Sequence, residues 1–173
     1  MRKHLKFIDE SGAHLGLTRL YGRAAPGERV VEATPGTTGA HYTFVASLSL
    51  TGIDAPAIFD GAMTGDMFDF YVTEMLGPTL NRNDIVVMDN LAAHKQARIR
   101  QAIEARGARI VFLPPYSPDF NPIELCWSKV KAFLRRAKAR TYDALTNALG
   151  QALRTVTCHD ALAWFTHCGY AVN

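Results

Sequence analysis

The sequence has few cysteines, few charged residues and no long apolar run, and each of these shortages excludes a class of protein. Its 173 residues include only three cysteines, without Cys-x-x-Cys spacing, so a disulfide framework is not expected. No apolar run reaches the roughly 18 to 20 residues that a membrane span needs. Charged residues make up 20% and apolar residues 48%, which argues against disorder. We therefore expect a single soluble domain over residues 1–173, located in the cytoplasm and away from membranes.

The net charge is only +3, but the basic residues are concentrated in one part of the chain. Residues 91–140 contain eleven Lys and Arg against three Asp and Glu, which leaves this segment at +8 and the remainder at −5. Such asymmetry favours a surface that binds a polyanion such as DNA. A solvated basic helix face explains the charge equally well.

The first half of the chain shows strand periodicity. Residues 3–9 alternate polar and apolar side chains and predict a strand that ends in a turn at residues 9–12. The stretches ERVVEA (28–33) and YTFVASLSL (42–50) predict further strands of an antiparallel meander. From Thr64, which can cap a helix, the spacing becomes helical through Met67, Phe70, Tyr71 and Met75, and Gly77-Pro78 predicts the end of that helix.

The second half predicts a parallel crossover followed by helices. Two short apolar runs, IVVM (85–88) and RIVFL (109–113), flank a helix that should stop at Gly107. Further helices are predicted at about residues 122–139, across 145–156 and around 161–167. The sum is an α/β fold in which helices flank a mixed sheet made of an antiparallel meander and parallel strands.

Two aspartates directly follow predicted strands. Asp9 and Asp89 each come where an apolar strand leaves the core. Ligands of α/β sheets bind at such carboxyl ends, so the two side chains are expected to face one crevice. For either aspartate alone, a turn or capping role is the ordinary explanation.

Glu124 is the third candidate acid, and it stands near the start of a predicted helix. Asn121 suits the N-cap and Pro122 the first helical position, which puts Glu124 where a capping box would also use a glutamate. The preceding prolines, at 114, 115 and 118, restrict the backbone and set where the helix begins. A metal ligand needs such exact placement and a capping side chain does not, so the prolines favour the ligand interpretation.

Three carboxylates without a histidine or cysteine cluster suit a hard cation. Mg²⁺, with Mn²⁺ as a substitute, prefers oxygen ligands, and two such ions about 4 Å apart would support phosphoryl transfer. Asp119 is a rival third ligand, although a turn role is favoured for it. Glu10 is left out of the triad because strand alternation turns it to the opposite face.

Basic residues around this triad are candidate contacts to nucleic acid phosphates, with solvated or capping roles as the alternative. They are His94, Lys95, Lys129, Lys131, Arg135 and Arg136. Trp127 shares a helix face with apolar residues and is expected in the core. The Cys-His pairs at 158–159 and 167–168 match no ordinary zinc-finger spacing.

Three blocks resemble the signature motifs of mariner-superfamily transposases, in their bacterial insertion-sequence branch. They are FIDESG (7–12), VVMDNLAAHK (86–95) and LPPYSPDFNPIELCWSKVK (113–131), and the resemblance extends over roughly residues 5–170. It implies an RNase H-like fold with a five-stranded sheet, in which an Asp, Asp, Glu triad binds two Mg²⁺ ions. Matched by motif, the triad falls on Asp9, Asp89 and Glu124.

The resemblance also implies an activity and partners. Water would cut at a transposon end, and the released 3′-hydroxyl would attack target DNA, commonly at TA, with a homodimer assembled on the DNA in the nucleoid. Members of the family carry an N-terminal helix-turn-helix region that this sequence lacks, so we expect a separately encoded half or a truncated copy. Two other functions stay open. A catalytically inactive DNA-binding or partner-binding remnant is one, and a haloacid-dehalogenase-like phosphatase is the other, although Ser11 stands where that family needs a second Asp.

Overall fold

A five-stranded mixed sheet forms the centre of the molecule. The structure is a computed structural model that describes residues 4–115 and 117–170. The strands are β1 (Leu5–His14), β2 (His41–Ser49), β3 (Gly52–Asp60), β4 (Ile85–Met88) and β5 (Arg109–Phe112), in the spatial order β3-β2-β1-β4-β5. The first three pair antiparallel, and β4 pairs in parallel with both β1 and β5. The predicted sheet is thereby confirmed.

Helices cover both faces of the sheet. They are α1 (Gly65–Phe70), α2 (Ala97–Glu104), α3 (Pro122–Ala137), α4 (Tyr142–Arg154) and α5 (Cys158–His167). One core cluster joins alternate residues of the strands, such as Phe7 and Val87, to α3, α4 and α5. The other joins Ile8 and Met88 to α1, α2 and the segment after α1. Because neighbouring strand residues point to opposite faces, both clusters follow from the strand sequences. No helix in the described ranges is long and apolar enough to cross a membrane.

Two predictions about the strands were wrong. Residues 28–33 form no strand, and Val30 and Val31 are exposed there. The third strand of the meander is β3 instead, which starts at Gly52. Likewise, β1 does not turn at residues 9–12 but continues to His14, because β2 pairs with it along that length. Its first predicted residue, Lys3, lies outside the described part of the chain.

The helix predicted from Thr64 begins as expected and then changes its winding. The Thr64 side chain accepts a hydrogen bond from the Met67 backbone N–H and caps α1. From Tyr71 to Leu76 the backbone is π-helical, and Gly77–Thr79 adds a 3₁₀ turn. Phe68, Tyr71, Val72 and Leu76 are buried along this stretch, whereas Phe70 is 54% exposed. Of the four residues predicted at helical spacing, Tyr71 is buried and Met67 and Met75 are partly buried, so only Phe70 departs from the predicted buried side.

Candidate active site

Asp9 lies inside β1, at the point where the parallel pairing with β4 has ended. Leu5 to Phe7 pair with Ile85 to Val87, whereas Asp9 is opposite Ala46 of β2. Asp89 comes two residues beyond Val87, the last residue of β4 that pairs with β1. Asp9 and Asp89 therefore occupy equivalent positions on neighbouring strands, as the sequence predicted, although Asp9 does not end its strand.

The Asp9 carboxylate is buried, with 8% of the residue exposed. One oxygen, Oδ2, accepts a hydrogen bond of 3.1 Å from the indole N–H of Trp127 on α3. Burial raises the pKa of Asp9, and the negative charges of Glu124, Glu10 and Asp89 raise it further, to about 8. The structure thus concentrates negative charge around a carboxylate that water does not reach freely.

One oxygen of Asp89 receives a hydrogen bond and a close charged contact. Its Oδ1 accepts a hydrogen bond of 3.2 Å from the Leu91 backbone N–H and lies 2.5 Å from Nδ1 of His94. Burial alone would raise the pKa of Asp89, but the hydrogen bond and charge of His94 and the Leu91 N–H outweigh it and leave that pKa below its ordinary value. Asp89 is the ionised member of the aspartate pair.

Glu124 stands in the first turn of α3 but does not serve as a cap. The Asn121 side chain makes no capping hydrogen bond to the helix, so the alternative of a capping box is not realised within the described residues. Pro122 occupies the first helical position as predicted. The Glu124 side chain is exposed and borders the same cavity as the two aspartates. It is therefore available to a ligand.

The three acids border one cavity of about 360 Å³. The segment after β5 supplies much of its wall, through Leu113, Pro114, Pro115, Ser117 and Pro118. The prolines thus line the site itself, in addition to carrying the chain towards α3. Asp119 is exposed and is not among the residues that line this cavity. The arrangement favours Glu124 over Asp119 as the third acid.

The acids surround the cavity without sharing one coordination sphere. Among the described residues, no three His, Cys, Asp or Glu side chains are gathered at the spacing that would hold a metal ion. Burial raises the pKa of Asp9, and the repulsion of the neighbouring carboxylates adds to that rise. An all-oxygen donor set with excess negative charge fits a hard divalent cation, which would draw the carboxylates together.

His94 lies behind Asp89 and away from the surface. Its side chain is 2% exposed, and its Nε2 lies 3.1 Å from Oε1 of Glu10. Burial by itself would lower its pKa, but the two carboxylates raise it to about 9, so the ring is protonated at neutral pH. With so little exposed surface, His94 is not placed to contact a DNA phosphate, so the prediction of that contact was wrong.

The basic residues of α3 divide into two groups. Lys129 donates to the Thr155 carbonyl (2.9 Å) and to Asp160 Oδ2 (2.7 Å), so it ties α3 to the start of α5. Lys131 and Arg135 are half-buried and Arg136 is exposed, as is Lys95 at the end of the 3₁₀ turn Ala92–Lys95. These four cations remain candidates for contact with a polyanion.

Sequence reasoning missed two contacts at the site. Trp127 was assigned to the core, and it is buried, but its N–H also binds Asp9. Glu10 was correctly placed on the face opposite Asp9, but its contact with His94 was not foreseen. A polar indole edge on a buried helix face, three residues after a candidate ligand, was the available signal for the first contact.

Comparisons with known proteins identify the family of this chain. Residues 4–146 match the family model described as DDE superfamily endonuclease. Over 100 residues the chain is 25% identical to the Tc1 transposase of Caenorhabditis elegans, an alignment that covers 58% of this chain and 37% of that protein.

Solved structures of Mos1 transposase share the fold. A paired-end complex with the left transposon end superposes with a TM-score of 0.79 at 13% identity, covering 98% of this chain and 53% of that one. A catalytic domain with Raltegravir and Mg superposes with a TM-score of 0.72 at 11% identity, covering 98% and 80%. The predicted RNase H-like fold is thereby confirmed, while the chain spans only about half of the full Mos1 chains. Since the family model covers most of its length, this chain belongs to the DDE superfamily endonuclease family.

Proposed function

We propose that this chain is the catalytic domain of a transposase of the bacterial insertion-sequence branch, which cleaves a DNA phosphodiester and transfers the strand. The observation that carries the proposal is the placement of Asp9, Asp89 and Glu124, from three separate elements, around one cavity. Family membership and the Tc1 similarity support it. The Mos1 structures with transposon ends, with Mg and with Mn support DNA as the substrate and a divalent cation as the cofactor.

In this proposal, Asp9, Asp89 and Glu124 are the catalytic residues and would hold two Mg²⁺ ions, with Mn²⁺ as a substitute. When bound, such ions polarise the scissile phosphate and lower the pKa of the attacking hydroxyl or water. The protein's own contribution is placement. The Trp127 N–H orients Asp9, the Leu91 N–H and His94 orient Asp89, and α3 presents Glu124 from a start fixed by Pro122.

The partners follow from the same proposal. DNA would lie along the basic residues of α3 and beside Lys95, with transposon ends and a target such as TA as its sites. Joining two ends calls for two catalytic subunits, so a homodimer on DNA is proposed, together with a helix-turn-helix region supplied by a separately encoded half. Such a complex would act at the bacterial nucleoid.

A matched pair of variants tests the catalytic assignment. Asp89→Asn keeps the shape of the side chain but removes its charge, so strand cleavage of DNA that carries the element's ends should fall by at least about a hundredfold in Mg²⁺. Asp119→Asn, at an exposed site outside the cavity lining, should cleave like the wild type. Equal cleavage by wild type and Asp89→Asn would exclude the triad mechanism. DNA binding without any cleavage by the wild type would favour the inactive remnant.

A further inference from the structure

His94 is held from several directions at the edge of the sheet where β4 ends. Its Nδ1 lies 2.5 Å from Oδ1 of Asp89, and its Nε2 lies 3.1 Å from Oε1 of Glu10. The ring stacks on Phe68 with 4.2 Å between centroids and 29° between planes. These contacts leave the imidazole one position, which is a property of a structural or positioning group rather than of a mobile surface residue.

The two carboxylates that His94 joins belong to opposite faces of the sheet. Glu10 shares its face with Ile8 and the α1 side of the core, whereas Asp9 and Phe7 face α3. Asp89 borders the cavity on the α3 side. His94 therefore lies at the end of β4 and contacts both Asp89, which borders the cavity, and Glu10, which lies on the opposite face of the sheet.

The contacts to Asp89 all fall on one of its oxygens. Oδ1 meets both His94 Nδ1 and the Leu91 N–H, while Oδ2 accepts no hydrogen bond from the residues that the structure describes. A carboxylate fixed through one oxygen presents the other in a set direction. Groups that orient a metal ligand in this way commonly change metal affinity or activity by about 10- to 100-fold when they are removed.

We propose that Glu10 and His94 form a positioning pair, which holds Asp89 through Oδ1 and directs Oδ2 into the cavity as a ligand for a divalent cation. This inference rests on the proposed function, because it takes Asp89 as a metal ligand. Glu10 fixes the imidazole and the imidazole fixes the carboxylate. Neither residue of the pair contacts the reacting atoms.

Two charge-matched substitutions separate the two ends of the imidazole. In His94→Asn the amide nitrogen takes the place of Nδ1 beside Asp89 Oδ1, whereas in His94→Gln it takes the place of Nε2 and reaches only Glu10. Both variants lose the same ring and the same charge. The measurement is the Mg²⁺ dissociation constant of the 173-residue chain, obtained from the rise in melting temperature as Mg²⁺ is added. We expect His94→Gln to bind Mg²⁺ about tenfold or more weakly than His94→Asn, at similar metal-free melting temperatures.

A second pair of variants keeps the test decisive if a His94 variant does not fold. Glu10→Gln retains an oxygen that accepts from Nε2–H, and Glu10→Ala does not, so the alanine variant should bind Mg²⁺ several-fold more weakly than the glutamine variant. His159→Gln, an exposed histidine of α5, is the control and should keep the wild-type constant. Equal constants within both pairs would overturn the positioning pair.

Asp89→Asn distinguishes this outcome from failure of the proposed function. If Asp89→Asn weakens Mg²⁺ binding while the members of each pair bind equally, only the positioning pair is wrong. If the wild type binds no Mg²⁺, or Asp89→Asn binds as well as the wild type, the metal site of the proposed function fails and the positioning pair falls with it.

Discussion

Replacing Asp9 with Asn should stabilise the metal-free protein while removing its response to Mg²⁺. Asp9 is buried among three other carboxylates, and these surroundings raise its pKa from 3.8 to about 8. Asn has nearly the same shape, and its oxygen can still accept the hydrogen bond from the Trp127 N–H. The substitution therefore removes the cost of the charge and retains most of the packing.

The sign and size follow from proton linkage. Between pH 4 and pH 8 the folded protein holds a proton on Asp9 that the unfolded chain releases, so the free energy of unfolding falls as pH rises through that window. Each pH unit within it is worth about 1.4 kcal/mol at most. Allowing for the burial of the new amide, we expect Asp9→Asn to be more stable than the metal-free wild type by on the order of 2–4 kcal/mol near pH 8, and about equally stable near pH 4.

Urea denaturation at several pH values, in chelator and in Mg²⁺, measures both effects. Mg²⁺ should raise the free energy of unfolding of the wild type and leave that of Asp9→Asn unchanged, because a ligand stabilises only the state that binds it. Asp119→Asn, which is exposed, should follow the wild type throughout. The electrostatic account is refuted if Asp9→Asn is no more stable than the wild type near pH 8 in chelator.

Three further predictions concern α3. Trp127→Phe leaves the buried Asp9 oxygen without its donor and should lower the free energy of unfolding by about 1–3 kcal/mol, measured in urea. Lys129, followed by the Thr157 donors, lowers the pKa of Asp160 to about 2. The stability contributed by Asp160 is therefore present above pH 3.8 and lost as pH falls towards 2. Asp160→Asn should lower the free energy of unfolding by about 1 kcal/mol at neutral pH, and that free energy should then change less with pH between 4 and 2. Replacing Lys131 and Arg135 with Gln should weaken DNA binding. The slope of the logarithm of the binding constant against the logarithm of the salt concentration should become shallower by about one for each lost phosphate contact, as measured by fluorescence anisotropy.

The sequence predicted well those strands and helices whose buried faces and boundaries can be read from the order of their own residues. IVVM is buried on both faces, and a continuous apolar run of this length predicts a central strand. In α3, one segment contains both the residues that form the buried face and the Pro122 that starts the helix. Residues 28–33 show the limit of that approach. Val30 and Val31 have strand propensity, but no neighbouring strand pairs with them in the described structure, and propensity for a strand measures how a residue fits a sheet that is already there.

The acidic residues of the site could be predicted from the sequence, but the side chains that orient them could not. Asp9, Asp89 and Glu124 could be selected because each stands where the sequence predicts the end of a strand or the start of a helix, although β1 in fact continues beyond Asp9. The contacts that orient them join residues far apart in the chain, such as Trp127 with Asp9 and His94 with Glu10. No local periodicity encodes a hydrogen bond across 118 or 84 residues. Such contacts can be identified only when the fold that brings the two residues together is known.

The structure places its largest electrostatic cost where the proposed chemistry needs it. Burying one more carboxylate beside Asp89 and Glu124 destabilises the metal-free fold, and the two apolar clusters on either face of the sheet must offset that cost. The positive charge of His94 offsets the charge of Asp89, but no cation of the described residues pairs with Asp9. Its surroundings keep Asp9 protonated at neutral pH, whereas a divalent cation would favour its charged form, so the burial of Asp9 opposes metal binding. The contact of His94 with Asp89 instead keeps that carboxylate ionised, which favours metal binding.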